Sequence, residues 1–258
     1  MTVTTPPDVN HWYDKRCAKA YWDQGEMAPY RQLLAHTAEW LDPAPGERWL
    51  DLGCGGGRLT RLLWEKGGGR LGSVVALDCA AANEEAIARV RAGFTPPVAA
   101  ERIRFLHADF SAGLGSFGHG SVDGVVSGLA IQYAQHWSPA ENRWTTEAYD
   151  RLLGDVCRVL RPGGRFVFSV NVPRPSWAWV GVCTLPSFFT ARKPLKFLRN
   201  CLRMTRYGAW LQREAASGRF HYLDAATVTA KLTDAGFGRV EHRLSFARQA
   251  YIFRAYRP

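Results

Sequence analysis

The sequence predicts an α/β fold: a mostly parallel sheet, preceded by a helical segment and followed by an irregular insertion near its end. Strand and helix patterns alternate from residue 48 to residue 170, which is typical of parallel strands joined by right-handed crossovers. The last two strands, 238–246 and 249–257, have too little chain between them for a crossover, so we expect an antiparallel hairpin. A chain of 258 residues that is 47% hydrophobic can bury a substantial core, which excludes a disordered protein.

The individual elements follow from apolar periodicity and from the turn residues that interrupt it. Turn-spaced apolar residues predict a helix over residues 11–41, and the stretch 42–46, which contains Pro and Gly, ends it. Strands are predicted at residues 48–52, 74–77, 103–106, 122–126 and 165–170. Helices are predicted at residues 59–66, 83–91, 145–160 and 224–235, the last with Asp224 as its N-cap. Residues 173–220 lack this alternation and form the predicted insertion.

The first predicted strand runs into a glycine-rich loop with the sequence Trp49-Leu50-Asp51-Leu52-Gly53-Cys54-Gly55-Gly56-Gly57. Glycines at a strand-to-helix turn let a ligand lie directly on the backbone at the helix N-terminus. A dinucleotide-binding fingerprint would need glycine where Arg58 stands, and the GK[ST] of a P-loop does not follow. The pattern that fits is an acid on the strand followed by GxGxG.

This pattern resembles the first motif of the class I S-adenosylmethionine-dependent methyltransferases, and four further features follow in the family's order. Asp78 ends the second strand, Asp109-Phe110 follow the third, residues 125–133 resemble the fourth-strand motif, and residues 160–164 resemble the turn before the fifth strand. Each feature alone occurs in many folds, but together they cover roughly residues 45–170. The resemblance implies a Rossmann-like, seven-stranded, mostly parallel sheet with the last strand antiparallel and helices on both faces.

The resemblance implies S-adenosyl-L-methionine as the cofactor. Asp78 would bind both ribose hydroxyls, because a carboxylate accepts two hydrogen bonds at once. Asp109 would accept a hydrogen bond from the adenine amine, with Phe110 near the adenine ring. The backbone of the fourth-strand motif would run beside the methionine part of the cofactor. Cys54 is interpreted as a small residue in a tight turn and not as a nucleophile. The implied cofactor-binding residues are Asp51, Gly53, Cys54, Gly55, Gly57, Asp78, Cys79, Asp109, Phe110 and Ser127.

Candidate catalytic residues lie just beyond the fourth strand, where Tyr133 and His136 stand close to Gln132 and Trp137. Methyl transfer from a sulfonium is an in-line displacement, so the protein mainly aligns the nucleophile and excludes water. A general base is needed only where the nucleophile arrives protonated. His136 could serve as that base or be a solvated loop histidine, and Tyr133 is more consistent with a pocket wall than with a base.

The cysteine pattern and the lack of long apolar runs indicate where in the cell the protein is located. The six cysteines are dispersed and contain no CxxC pair, so we expect neither a disulfide framework nor a metal site. Residues 1–10 lack the features of a signal peptide, and the longest mainly apolar run, Trp177 to Phe189, is too short to span a bilayer. These observations predict a cytoplasmic protein.

The sequence predicts one methyltransferase domain over residues 1–258 with four parts. Residues 1–45 are N-terminal cap helices, and residues 46–172 form the cofactor-binding core. Residues 173–220 form a basic, aromatic lid insertion, and residues 221–258 supply a C-terminal helix and a β-hairpin that complete the sheet.

The insertion carries most of the net charge of +10, because residues 175–220 contain eight Lys and Arg against Glu214 alone. Aromatic residues are interleaved with these cations. The segment could be a lid over a bulky, partly apolar or anionic acceptor, an RNA-stacking surface, a contact with an anionic membrane, or a solvated basic face.

We therefore expect a methyltransferase that acts on an O, N or C nucleophile of a small, bulky, lipid-like or anionic metabolite. The partners are a small-molecule acceptor and, through residues 175–220, a membrane surface at which the protein would be peripheral, with nucleic acid less favoured. An RNA methyltransferase and a non-catalytic cofactor-binding regulator are the alternatives. The oligomeric state is not predicted.

Overall fold

A computed structural model describes residues 10–14, 27–185, 187–188 and 207–258 of the chain. The predicted helix over residues 11–41 is present only in part. Residues His11–Tyr13 form a single 3-10 turn that ends at the extended Asp14, and helix α1 spans Ala28–Leu41. Residues 15–26, which hold the rest of that prediction, lie outside the described residues.

The main sheet has seven strands in the order β3-β2-β1-β4-β7-β9-β8. Strand β9 is antiparallel to both of its neighbours, and the other pairings are parallel, as predicted. The strands of this sheet are β1 (Arg48–Leu52), β2 (Ser73–Asp78), β3 (Ile103–His107), β4 (Val122–Gly128), β7 (Leu160–Asn171), β8 (Gly238–Ser245) and β9 (Ala250–Tyr256). A separate two-stranded ribbon consists of β5 (His136–Ser138) and β6 (Arg143–Thr145).

Helices cover both faces of the sheet because successive strand residues point to opposite sides. Leu50 contributes to one buried cluster and Trp49, its neighbour, to the other. The first cluster packs under α4 (Glu147–Val159) and α6 (Ala225–Asp234), and the second under α1, α2 (Arg58–Lys66) and α3 (Asn83–Ala92). The Rossmann-like layered architecture predicted from the sequence is therefore confirmed.

The region between β4 and β7 differs in detail from the prediction. The β5–β6 ribbon was not expected, and it takes up Thr145, so helix α4 begins at Glu147. The ribbon is held by edge-on packing of the Trp137 and Trp144 rings, whose centroids lie 5.3 Å apart. Strand β7 begins at Leu160, where a turn was predicted, because Leu160 already pairs with Val122 before a shift of register.

Two helical pieces of the insertion are described, α5 (Trp177–Thr184) and the stretch 207–216. Most of its cations, from Arg192 to Arg206, lie outside the described residues, so the structure describes only the two ends of the predicted lid. Across the described parts of the chain, we find no helix of the length and apolarity that a membrane span requires. The predicted α6 is present, with the Asp224 side chain accepting from the Thr227 amide at 2.8 Å.

Candidate functional site

A pocket of about 180 Å³ opens at the carboxyl ends of β1, β2 and β4. The strand order reverses between β1 and β4, and such a switch point is where open α/β sheets bind ligands. One end of the pocket is lined by the glycine loop and three carboxylates, and the other by apolar and aromatic side chains. The lining residues include eight of the ten predicted cofactor-binding residues, namely Asp51, Gly53, Cys54, Gly55, Asp78, Cys79, Asp109 and Phe110.

The glycine loop is shaped by close backbone approaches that exclude larger residues. A Cβ on Gly53 would lie 2.3 Å from the Cβ of Ala130, and Gly53 has a φ of 70°. A Cβ on Gly55, in contrast, would meet nothing within 4 Å, because Gly55 borders the open pocket. The loop therefore presents bare backbone to a ligand, which a glycine cradle requires.

Asp51 supplies a buried carboxylate whose hydrogen bonding is incomplete. The side chain is fully buried, and Oδ2 accepts from the Thr60 hydroxyl at 2.6 Å. Oδ1 has no hydrogen-bond donor among the described residues. Burial, assisted by the charge of Asp78, raises the pKa of Asp51 to about 7. A buried carboxylate with a free oxygen facing a pocket is suited to a cationic ligand group, which would favour its ionised form.

Asp78, at the end of β2, is braced by the loop it faces. Its two oxygens accept from the amides of Gly55 at 2.9 Å and Ala80 at 2.8 Å, and Asn83 adds a side-chain hydrogen bond. Burial raises the pKa of Asp78, while these hydrogen bonds act in the opposite direction. A carboxylate has about four acceptor sites, so the three bonds already made leave the braced group one site for a ligand hydroxyl. Asn83 also lines the pocket and was missed by the sequence reasoning.

Asp109 is contacted by the N-terminal 3-10 turn. Its Oδ2 accepts from Asn10 Nδ2 at 2.8 Å and from the Tyr13 hydroxyl at 3.1 Å, and Oδ1 accepts from the Ser111 amide at 2.8 Å. Burial and the Asp109 charge raise the pKa of Tyr13 to about 12. The turn thus covers the Asp109 end of the pocket. Because Asn10 is 99 residues from Asp109, local sequence patterns offered no signal for this contact.

The two cysteines of the pocket are unsuited to nucleophilic chemistry. Burial raises the pKa of both Cys54 and Cys79, and the nearby Asp78 acts in the same direction. A thiol held in its protonated form is a weak nucleophile.

Three of the predicted site residues, Gly57, Ser127 and His136, lie outside the described pocket lining. Gly57 has a φ of 73°, and a Cβ there would lie 2.9 Å from Ile87 Cδ1, so this glycine serves the packing of α2 against α3. Ser127 is buried and donates to the Leu52 carbonyl at 2.7 Å, which ties β4 to β1. His136 shares a hydrogen bond of 2.8 Å with the Thr145 hydroxyl across the β5–β6 ribbon. His136 thus lies in the ribbon and not in the described lining of the pocket, and its catalytic role stays a prediction.

Tyr133 does line the pocket, at its apolar end. Its ring lies 4.6 Å from that of Trp12 and 4.8 Å from that of Phe220. Its hydroxyl is 3.3 Å from the Tyr222 hydroxyl, and burial raises the pKa of Tyr133. A buried neutral phenol in an aromatic cluster is a pocket wall, not a base at neutral pH.

A sheet of this order, with a bare glycine loop after β1 and a carboxylate on each of the first three strands or just after it, defines a class I S-adenosylmethionine-dependent methyltransferase fold. Residues 50–168 match a family model described as a methyltransferase domain.

Relatives agree with this assignment. An uncharacterized methyltransferase of Mycobacterium tuberculosis is 34% identical over 147 residues, which cover 55% of this chain and 47% of that protein. An uncharacterized methyltransferase of Synechocystis is 32% identical over 136 residues, covering 52% of this chain and 50% of that protein. The chain thus spans about half the length of the curated relatives it matches.

Among solved structures, the N-methyltransferase NodS from Bradyrhizobium japonicum, in complex with S-adenosyl-L-homocysteine, has a TM-score of 0.60. The identity is 13%, and the alignment covers 97% of this chain and 100% of that chain, so this likeness concerns the fold alone. The match over residues 50–168 and this fold agree with the class I S-adenosylmethionine-dependent methyltransferases, a class whose cofactor is S-adenosylmethionine.

Proposed function

We propose that this protein transfers the methyl group of S-adenosyl-L-methionine to a bulky, largely apolar small molecule. The observation that carries the proposal is the continuity of one pocket, which joins the bare glycine loop and its acids to an aromatic chamber. When bound, the cofactor supplies an activated methyl group on a sulfonium. The chain supplies orientation and exclusion of water, which account for much of the rate in reactions of this kind.

The donors and acceptors of the pocket fit the cofactor. Asp51 Oδ1 is a free, buried oxygen that suits the ammonium of the methionine part. Asp78 has an acceptor site left for a ribose hydroxyl, and Asp109 has one for the adenine amine. Gly53, Cys54 and Gly55 contribute the backbone on which the ligand would lie.

The other end of the pocket favours a neutral acceptor over an anionic one. Its described lining is mostly apolar or aromatic and includes Trp12, Met27, Tyr133, Trp177, Val180, Leu211 and Phe246. Arg58, at the start of α2, is the one cation in the described lining, against three carboxylates. An anion would be repelled by this balance, whereas apolar surface would gain about 25 cal/mol for each Å² removed from water.

The cofactor claim is tested by calorimetric titration of the purified protein with S-adenosylmethionine and S-adenosylhomocysteine. We expect saturable binding of both, weakened at least tenfold in Asp51→Asn. The matched control is Asp123→Asn, since Asp123 lies outside the pocket and pairs with Arg161. Absence of binding at high micromolar concentration would refute the proposal. Binding without transfer to any acceptor in a mass-shift screen of cell extracts would favour the non-catalytic regulator instead.

The outer face of α5 supports a peripheral membrane contact as part of this proposal. Trp179, Val182 and Leu185 are about half exposed or more, while Val180 of the same helix faces the pocket. A lipid-like acceptor could then pass from an interface into the aromatic chamber. In flotation with anionic vesicles, Trp179→Ser with Val182→Ser should reduce the bound fraction. Leu244→Ser, on the edge strand β8, is the matched control, and equal flotation of all three proteins would refute the contact.

Cys54, Cys79, Cys157 and Cys183 are free thiols, which suits the reducing cytoplasm that we propose as the location. Arg219, one cation of the insertion, is buried against Glu214 and Gln135 and is thus not available to hold RNA phosphates.

A further inference from the structure

Asn171, the last residue of β7, presents an unused hydrogen-bond acceptor to the pocket. The side chain is 1% exposed and lines the cavity, and its Oδ1 has no donor among the described residues. The side chain also hydrogen-bonds the Tyr222 hydroxyl. Because Oδ1 is without a partner, Nδ2 must make that bond, which fixes the amide with its oxygen on the free side.

The backbone of Asn171 is held as firmly as its side chain. Its amide donates to Gln132 Oε1 at 2.6 Å, and Gln132 is fully buried in the turn after β4. Strand β7 pairs with β4 through Gly128 and Ser169, so Asn171 stands on the side of β4 away from the glycine loop. This position belongs to the aromatic chamber and not to the cofactor acids on β1, β2 and β3.

Trp177, the first residue of α5, presents an unused donor to the same cavity. Its Nε1 is buried and has no acceptor among the described residues, and the ring lines the pocket. The ring packs flat against Gly208, where an added Cβ would lie 2.6 Å from its atoms. Leaving a buried polar group unpaired is unfavourable, so both groups favour a ligand that pairs with them.

We propose that Asn171 and Trp177 together bind the hydroxyl of a neutral, ring-containing acceptor, which rests on the proposed function and specifies its substrate class. A hydroxyl can donate to Asn171 Oδ1 and accept from Trp177 Nε1 at the same time. The surrounding side chains Trp12, Tyr133 and Phe246 supply flat apolar surface for the ring. A carboxylate in the same position would face the oxygen of Asn171 without a counter-ion.

The test uses the full chain saturated with S-adenosylhomocysteine and three probes of one shape: 2-naphthol, 2-methoxynaphthalene and 2-naphthoate. Affinities are measured by ligand-observed NMR and calorimetry. We expect 2-naphthol to bind at least tenfold more tightly than the methyl ether and the carboxylate, because only 2-naphthol offers a neutral donor. Equal affinities, a preference for 2-naphthoate, or no saturable binding of any probe would overturn the proposal.

Two variants separate recognition from folding. Asn171→Leu should lose the preference for 2-naphthol over its methyl ether while S-adenosylhomocysteine still binds with unchanged affinity. Gly208→Ala adds a methyl group that displaces the Trp177 ring. It should lower the affinity for 2-naphthol several-fold, with the affinity for S-adenosylhomocysteine again unchanged. Retention of the full preference in both variants would overturn the proposal. Failure of the wild type to bind S-adenosylhomocysteine would refute the proposed function itself.

Discussion

The buried carboxylate of Asp51 leads to a prediction in which stability and ligand affinity change in opposite directions. The side chain has a pKa of 3.8 in an unfolded chain and about 7 in the folded protein without ligand. Between these values the folded protein holds a proton that the unfolded chain has released. The free energy of unfolding therefore falls as the pH rises through this window, and the loss is complete above pH 7.

The magnitude follows from about 1.36 kcal/mol for each pKa unit. A shift of about three units corresponds to roughly 4 kcal/mol of destabilisation above pH 7, of which about 2 kcal/mol is incurred between pH 5.5 and pH 8. Asp51→Asn removes this titration. It also weakens the bond from the Thr60 hydroxyl by about 1 kcal/mol, because the acceptor is no longer charged. We expect the variant to be more stable than the wild type by roughly 3 kcal/mol at pH 8 and by roughly 1 kcal/mol at pH 5.5.

The assay is urea unfolding of the ligand-free protein at pH 5.5 and pH 8, with calorimetric titration of S-adenosylmethionine at pH 8. At pH 8 the free energy of unfolding of Asp51→Asn should exceed that of the wild type, while its affinity for S-adenosylmethionine should be at least tenfold lower. Asp123→Asn is the control with the opposite sign. Burial opposes ionisation of Asp123, but bonds from Arg48 and Arg161 outweigh it and lower its pKa, so this variant should lose stability at pH 8. If wild type and Asp51→Asn show the same pH dependence of unfolding, the reasoning is refuted.

The other predictions concern residues in and near the glycine loop. Gly53→Ala should lower the free energy of unfolding, measured by urea titration, by about 1–3 kcal/mol, because its Cβ would lie 2.3 Å from the Cβ of Ala130. The second substitution Ala130→Gly in the same chain should restore part of that free energy. If it restores none, the steric clash is not the cause. Ser127→Ala should lower the free energy of unfolding by about 1 kcal/mol, because it removes the hydrogen bond to the Leu52 carbonyl. The affinity for S-adenosylhomocysteine, measured by calorimetry, should be unchanged. A weaker affinity would indicate that Ser127 does contribute to cofactor binding. His136→Ala should leave cofactor affinity and the pH profile of methyl transfer unchanged, since His136 lies in the β5–β6 ribbon outside the pocket lining, and a lost pH limb would restore it as a base.

Much of the cofactor end of the site could be predicted because its residues are contiguous with predictable strands. Asp78 ends the mostly buried strand β2 and Asp109 lies two residues after β3, and the carboxyl ends of parallel strands meet at one edge of a sheet. Gly57 was predicted to bind the cofactor but lies outside the described pocket lining. Its backbone supports the packing of α2 against Ile87 of α3, a contact that no spacing within the loop reveals.

The acceptor end could not be predicted in the same way. Tyr133 was found because it lies close to β4, but its partner Tyr222 is 89 residues away. Asn171 was overlooked because a polar residue at a strand end is ordinarily solvated. Only the closure of α5 over the cavity makes its unpaired oxygen informative.

The sequence by itself determined the α/β class, the strand directions and the glycine loop with its acids, since these depend on periodicity and on short runs of adjacent residues. Only the tertiary structure shows which distant residues surround the glycine loop and its acids. It placed Asn10 on Asp109, put His136 in the β5–β6 ribbon outside the described pocket lining, and brought Asn171 and Trp177 to the lining of an apolar chamber. The physical reason is that burial, pKa shifts and unsatisfied hydrogen bonds depend on which distant segments pack together, and that packing is not encoded in local spacing.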